Sequence, residues 1–434
     1  MHYVWQHRLL MAADMVTTDG QRVEVIDPGM LNRDAGPDFF NAKVRIADRI
    51  WCGNVEMHVR ASDWHRHGHD GDPAYSSVIL HVVGADDCTI QRPDGKDIPQ
   101  LVMQCSPDFN RKYCEMVDAP ADRLACFNEI KDTPSVFVAD CITAMAYERI
   151  YDKSDRVLSL LDRLDGNWAE AVYVTLARAL GFGLNSQAFE QLALNVPLRT
   201  LLKHRDNPAA VEGLLFGQAG LLPDAAAGET ESMHLNDIRR EYEFLRHKFA
   251  LPAPPPLGWR MARTRPQNFP HRRIAALSAM ISAGFGIASK VCGLDNLEEA
   301  RGIFEDMKLP VYWRQRYHFG EAGSRISELA FSKATVDILI INVVVPAMHA
   351  YGSRFGNEAL QQRAIGMLEQ LPAENNSITR LFAAAGLKCR DAFTSQALIQ
   401  LRRAYCEPRK CLYCRLGHRF LCQKAKNSQT RKTT

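Results

Sequence analysis

The sequence predicts an α+β chain in which a strand-rich N-terminal module is followed by a larger, mostly helical region. Three observations carry this reading. Residues 15–104 alternate apolar and polar positions and contain Asp19-Gly20 and Asp94-Gly95, dipeptides that favour tight hairpin turns. From about Cys141 the apolar spacing becomes three and four, the helical period. At 434 residues the chain is too long for one hydrophobic core, so two or three domains are expected.

Taken in order, residues 1–10 (MHYVWQHRLL) predict a short helix packing on the sheet through Trp5 and Leu9. Strands are expected at 23–26, 42–46, 51–60 and 78–83, with Ala47-Asp48-Arg49 turning between the second and third. Helical spacing then marks 156–164, 168–180, 188–194 and 198–204. A linker-like interval at 228–232 precedes a helix at 236–249. The segment LPAPPPL at 251–257 is a stiff, extended connection, since proline cannot donate inside a helix. Helical patterning resumes from Arg272 to Arg403, and the tail from Lys424 is polar and basic, the composition of a disordered end. The resulting boundaries are 1–125, 126–250, 251–400, a cysteine knuckle at 401–423 and a tail at 424–434.

Composition narrows the function classes. Apolar residues make up 46% and net charge is +3, so the chain is no polycation and any nucleic-acid affinity must reside in local patches. Residues 1–10 are interrupted by two His, a Gln and an Arg and do not read as a secretory signal. The longest apolar stretch, 338–350, holds Asn342, Pro346 and His349 and falls short of the roughly 20 residues a membrane span needs. It is expected to be a buried helix. Twelve cysteines in such a chain predict reduced thiols, some metal-bound, and a cytoplasmic protein with no membrane partner. Neither a Walker A loop nor a GxGxxG fingerprint is present, which argues against nucleotide-driven and dinucleotide chemistry.

The stretch Gly53–Arg60 (GNVEMHVR) concentrates chemistry. Strand alternation puts Glu56, His58 and Arg60 on one face and Val55, Met57 and Val59 on the other. Asp38 stands at the entry to the preceding strand, and a hairpin at 47–49 would bring its carboxylate toward that of Glu56. Two converging carboxylates suit Mg²⁺ or Mn²⁺, with a neighbouring base orienting water or neutralising a phosphate. Pro37-Asp38 and Glu56-Met57-His58 resemble the PD-(D/E)XK nuclease superfamily, in which the Asp and Glu hold the metal and a Lys completes the site. Here position 58 is His, so the resemblance leaves three possibilities: His58 takes the role, Lys43 reaches in from the adjacent strand, or activity is lost. It implies a restriction-endonuclease-like sheet. The plainer reading has Asp38 capping a turn and Glu56 paired with Arg60 or Arg45.

A second polar cluster follows at Asp63-Trp64-His65-Arg66-His67-Gly68-His69-Asp70. Seven of the fourteen His fall within residues 2–81, so the stretch bears on the site. His65-x-His67-x-His69-Asp70 is loosely similar to the HxHxDH motif of the metallo-β-lactamase fold, a zinc-binding pattern. Its hydrophilic loop and the missing βαβ context instead predict a surface loop. His81, inside an apolar strand, is expected to be a core histidine with a possible outlook on the site.

Near the C-terminus, Cys406-x4-Cys411-x2-Cys414 is followed by His418 and Cys422. A CxxC turn lets two thiolates chelate one ion, and two further ligands close the shell. Zn²⁺ is the default occupant, with Cys422 or His418 as fourth ligand. A 4Fe–4S cluster is the alternative, through a loose resemblance to the endonuclease III family. Ten Lys/Arg against Glu407 alone from position 401 onward form a phosphate-binding patch. Residues 260–273 and 312–319 mix Arg with aromatics, as single-stranded nucleic-acid sites do.

Over nearly its whole length the chain also resembles an uncharacterised bacterial family known as a domain of unknown function. The likeness rests on Tyr3-Val4-Trp5-Gln6-His7, residues 23–29 (VEVIDPG), residues 34–42 (DAGPDFFNA), Gly53-Asn54-Val55-Glu56, Ser62-Asp63-Trp64, residues 78–83, residues 265–270 (RPQNFP) and the terminal cysteine segment. Three functions follow as expectations. The first is a metal-dependent nuclease acting on DNA or RNA through Asp38, Glu56 and His58 or Lys43. The second is a non-catalytic nucleic-acid-binding or scaffold protein with a structural zinc site. The third is a zinc hydrolase using the 65–70 cluster.

Overall fold

A computed structural model of the chain describes residues 1–10, 15–92, 95–120, 122–223, 233–262, 264–320 and 322–422. The expected linker at 228–232, the tail from Lys424 and Asp94 of the second turn dipeptide lie outside the described residues. The architecture is α+β, an N-terminal mixed sheet followed by a larger helical region.

The chain divides into two compact units, one formed by 1–138 together with 402–434, the other by 139–401. The boundary read from the sequence at 401 falls within one residue of this division, while those at 126 and 251 have no counterpart in it. Residues 139–401 share one apolar core running from Ile150 to Ala392, which the proline-rich segment does not interrupt. The cysteine segment belongs to the same unit as the sheet.

In the first unit, helix α1 (His2–Gln6) precedes strands β1 (Val23–Asp27), β2 (Met30–Leu31), β3 (Phe39–Ile46) and β4 (Arg49–Arg60). A short helix α2 (Asp63–Arg66) leads to β5 (Val78–Ala85) and β6 (Gln100–Val102), and α3 (Pro107–Val117) follows. The sheet order is β1-β3-β4-β5-β6, with β2 also pairing β3. β3 and β4 form an antiparallel hairpin with Ile46 opposite Arg49, while β5 runs parallel to β4 and β6 parallel to β5.

Alternation along these strands sorts the side chains. Phe39, Ala42, Val44, Ile46, Val55, Met57, Leu80 and Val82 point into one apolar layer, which Trp5 of α1 completes. Trp5 is fully buried, and its Nε1 donates to the Pro28 carbonyl at 3.0 Å. Leu9 packs elsewhere, beside Tyr3, Val4 and Phe109. Two glycines permit the close backbone approaches around this layer. A Cβ on Gly29 (φ +82°) would lie 2.4 Å from the Phe40 carbonyl oxygen, and one on Gly53 would lie 2.4 Å from Ile79 Cγ2. The opposite face carries a smaller cluster of Trp64, Tyr75, Val78, Ile90 and Ile98.

The second unit is helical. Its expected helices appear as Ser135–Arg163 (with residues from Ala139 in this unit), Trp168–Leu180, Ser186–Asn195, Leu198–Leu202 and Met233–Lys248. Lys333–Phe355 is long and apolar enough by length and composition to cross a membrane, yet 78% of its most apolar stretch is buried within the protein. Within the arginine–aromatic runs, Arg272, Arg273 and Trp313 belong to this interior. Arg272 and Arg273 are each 3% exposed; Arg272 donates to the Trp313 carbonyl at 2.8 Å, and Arg273 stacks over Phe182 at 4.6 Å. Trp313 is fully buried and donates from Nε1 to Glu212 at 2.5 Å. These residues hold helix Pro270–Ser282 to the segment around 313–330.

Candidate metal centre

Glu56, His81 and Gln100 occupy adjacent register positions across β4, β5 and β6, so they share the sheet face opposite the apolar layer. His58, two residues beyond Glu56, joins them. Asp38 arrives from the loop before β3, where Asn32 holds the turn by donating to the Ala35 and Pro37 carbonyls. The Asp38 amide donates to Glu56 Oε2 at 3.1 Å, and Asp38 Oδ2 accepts from the Met57 amide at 3.0 Å. His2 of α1 places Nε2 3.0 Å from the same Oδ2.

The loop after β4 turns back over this face. His65 pairs with Asp70 at 2.8 Å at the surface, both half-exposed. His67 and His69 instead come in beside His58, and the three imidazoles present ligand nitrogens that all lie within 4.8 Å of one another. His67 Nδ1 is 3.1 Å from His58 Nε2, and Glu56 Oε1 is 3.5 Å from both His58 Nε2 and His69 Nε2. Donors about 2.05 Å from one tetrahedral ion would stand about 3.3 Å apart. Three of the six edges lie near that length, and the group whose ligand atoms all lie within 4.8 Å of one another is the imidazole trio without Glu56. The motif expected to form a surface loop therefore contributes two residues to the centre, while His65 and Asp70 stay outside it.

Tautomers follow from the partners on the far side of His58. The Gln100 amide nitrogen donates to Asp86 Oδ1 at 2.8 Å and to the Cys88 carbonyl at 3.0 Å, both pure acceptors. Gln100 Oε1 must then accept from His81 Nδ1, 3.1 Å away. That leaves His81 Nε2 as the acceptor for His58 Nδ1 at 2.9 Å. His58 Nε2 consequently carries a lone pair aimed at His67, His69 and Glu56. Second partners of this kind set ligand orientation in metal sites.

Burial dominates the electrostatics of this cluster. Burial, then the adjacent Asp38 charge, pushes the Glu56 carboxyl up to about 8. Burial, then the neighbouring imidazoles of His81, His69 and His67, holds His58 down to about 4, so it is neutral at pH 7. Burial likewise takes His81 to about 4. Trp64 and Tyr75 wall the cluster: Tyr75 stacks on His69 at 3.8 Å, and Trp64 meets His69 edge-on at 5.4 Å.

Asp38, Glu56 and His58 are thus together, as the strand parity indicated. Lys43 is not with them. It is exposed and opposite Cys52, four residues back along β4 from Glu56, about 13 Å at strand rise. A surface groove of about 570 Å³ lined by Arg8, Arg22, Glu24 and Arg45 also excludes the centre's residues. Reasoning from the sequence did not assign roles to His2, Tyr75 or Gln100; for Gln100 the signal was its register with His81, available only once β5 and β6 were paired.

Cys411–Tyr413 is a single 3₁₀ turn, helix Arg415–Cys422 follows, and Cys411 and Cys414 are buried. Cys422 lies instead with His418, its Sγ 3.7 Å from either ring nitrogen, and Tyr3 Oη is 2.5 Å from His418 Nδ1.

Residues 1–377 match the family described as protein of unknown function DUF2851. The chain belongs to that family. Comparison with curated proteins and with solved structures gives no match.

Proposed function

We propose that the first unit is a metal-dependent phosphodiester hydrolase acting on DNA or RNA, with its cation held by Glu56, His58, His67 and His69 and with Asp38 as the second carboxylate. The observation that carries this reading is the convergence of three imidazole nitrogens within 4.8 Å of one another, with Glu56 Oε1 3.5 Å from two of them. Three imidazoles and one carboxylate suit Zn²⁺, Mn²⁺ or Fe²⁺ better than Mg²⁺, which prefers oxygen ligands. When bound, such an ion supplies an activated water and positive charge for a phosphoryl oxygen. The chain's own groups hold the centre in place. Gln100 and His81 fix the His58 tautomer, and the Asp38 amide fixes Glu56. His67, the exposed member, marks the side on which a substrate enters.

The substrate class rests on the acidic pair delivered across the β3–β4 hairpin, the arrangement of the PD-(D/E)XK nucleases, and a restriction-endonuclease-like sheet is part of the same proposal. One observation favours a second reading. Glu56 and His58 are each 5% exposed, and four protein donors would fill a zinc shell with no open position, as in structural sites of a scaffold. Incubating the full chain with plasmid, single-stranded DNA and RNA in Mn²⁺, Zn²⁺, Mg²⁺ or EDTA separates them. The hydrolase reading expects cleavage that EDTA abolishes and that Glu56→Gln and His58→Ala lower by roughly 10²-fold or more. If wild type cleaves no better than Glu56→Gln while both bind metal, the scaffold reading replaces it.

A further inference from the structure

Two guanidinium groups stand inside the helical unit at the end of a helix where positive charge is least favourable. Helix Pro270–Ser282 starts after Phe269, whose side chain cannot cap it, and among the described residues nothing accepts from the amides of His271 or Arg272. These unused donors make the first turn electropositive. Arg272 and Arg273 are the third and fourth residues of the same helix, and both are buried. Arg272 donates to the carbonyls of Trp313, Arg316 and Ser327 at 2.8, 3.3 and 3.4 Å. Arg273 turns back toward the start of the helix, where Nη2 donates to Asn268 Oδ1 at 2.5 Å. Its other contacts are the Ala330 carbonyl at 3.4 Å and the rings of Phe182 and Phe331. All of these partners are neutral, so among the described residues no carboxylate offsets either charge. Arg273 Nε and His271 Nδ1, both buried, have no hydrogen-bond partner at all within the protein.

We propose that this helix end binds a phosphoryl oxyanion, as free phosphate or as a phosphate of a nucleic-acid backbone. The physical argument is charge. A buried ion with neutral partners keeps its hydrogen bonds but loses the solvation of its charge. Here two like charges share that cost, and the positive end of the helix dipole adds to it. An oxyanion at the first turn answers all three sources. It accepts from the two amides, meets Arg273 Nε in a charge-assisted bond, and brings the negative charge that this interior lacks. A phosphoryl group suits the site better than a carboxylate, because its additional oxygen lets amide and guanidinium donors bind together. Arg265 and Gln267, exposed just ahead of Phe269, mark the side open to solvent. The site lies in the helical unit and is independent of the metal centre.

The test uses the full chain in EDTA, so that no metal at the first centre draws the anion there. Inorganic phosphate and a short thymidine strand are titrated against chloride of equal ionic strength, and amide exchange is read by deuterium labelling and mass spectrometry. At roughly ten times its Kd, the anion is expected to slow exchange about tenfold across 265–273. Protection by free phosphate identifies a small phosphorylated ligand, and protection by the strand alone identifies a backbone phosphate. Both support the proposal if Arg273→Met weakens binding by roughly 10–100-fold, the loss of a charged hydrogen bond. Methionine is chosen because apolar chains often replace buried ions without loss of stability. Should that variant fail to fold, the wild-type chain decides, with protection at 265–273 by phosphate and not by chloride supporting the proposal. No protection by either probe, protection only elsewhere, or equal binding by Arg273→Met would each overturn it. None of these outcomes depends on whether the first unit cleaves nucleic acid.

Discussion

His58 is held by one nitrogen so that the other is free to coordinate. The chain Asp86–Gln100–His81–His58 sets this from two strands away, although Gln100 and His81 lie behind the imidazole and not among the ligands. Gln100→Ala and His81→Ala are therefore expected to weaken metal affinity by roughly 10–100-fold, the usual cost of losing such second partners. Calorimetric titration with Zn²⁺ or Mn²⁺ reads this directly, and unchanged affinity would show that the tautomer is set some other way. Of the four proposed ligands, Glu56 and His58 were legible in the sequence, because strand alternation alone puts them on one face. His67 and His69 were not. They come after a one-turn helix and flank a left-handed Gly68 (φ +76°), and no periodicity reports which side chains of such a loop turn inward. Lys43 has the right parity but the wrong register, a distinction that needs the pairing of β3 with β4.

At the scale of elements, the centre depends on how firmly α1 and the turn after β1 lie against the sheet. Trp5 is the anchor, and His2 one turn earlier reaches Asp38. Trp5→Ala should destabilise the first unit by about 3–5 kcal/mol, the range for large aromatic truncations in a core. Denaturant unfolding followed by the remaining tryptophans of that unit checks it. Gly29→Ala is expected to cost more than its size suggests, since the added methyl meets the Phe40 carbonyl in a left-handed backbone conformation. A thermal midpoint unchanged by Gly29→Ala would contradict that. In the helical unit, His271 sits among Phe216, Trp313 and Phe319, and burial lowers it to about 4. The unfolded chain, with a histidine pKa near 6.5, binds more protons between these values, so stability is present above pH 6.5 and is lost as pH falls toward 4. His271→Phe or His271→Leu should flatten that loss, as measured by denaturation midpoints across pH 4–7. The strands and helices themselves were readable from apolar period, whereas the burial of Arg272 and Arg273 was not. Composition cannot tell an arginine that stacks on an internal Phe from one that stands in solvent.

Across the whole molecule, the sequence suggested five consecutive segments and the structure has two units, one of them discontinuous. What hid this is that long-range return of a chain leaves no local signal. Chelation should therefore act unevenly. Removing metal is expected to raise amide exchange in described parts of 1–138 and 402–422 by an order of magnitude or more, with little change in 139–401. Mass spectrometry after deuterium labelling distinguishes the two regions, and uniform loosening would argue that metal supports the helical unit as well.

A ribosome making this protein must finish 139–401 before it reaches 402. At roughly 5–20 residues per second, the sheet waits tens of seconds for the segment that completes its unit. During that interval Tyr3, Val4 and Phe109 lack the Cys411 and Leu421 side chains that later cover them. The nascent sheet is thus an incomplete body for most of its synthesis, a period in which a chaperone has something apolar to hold. A message cut short anywhere before codon 402 yields a product lacking that segment entirely, so closure of the first unit reports that translation went past that point.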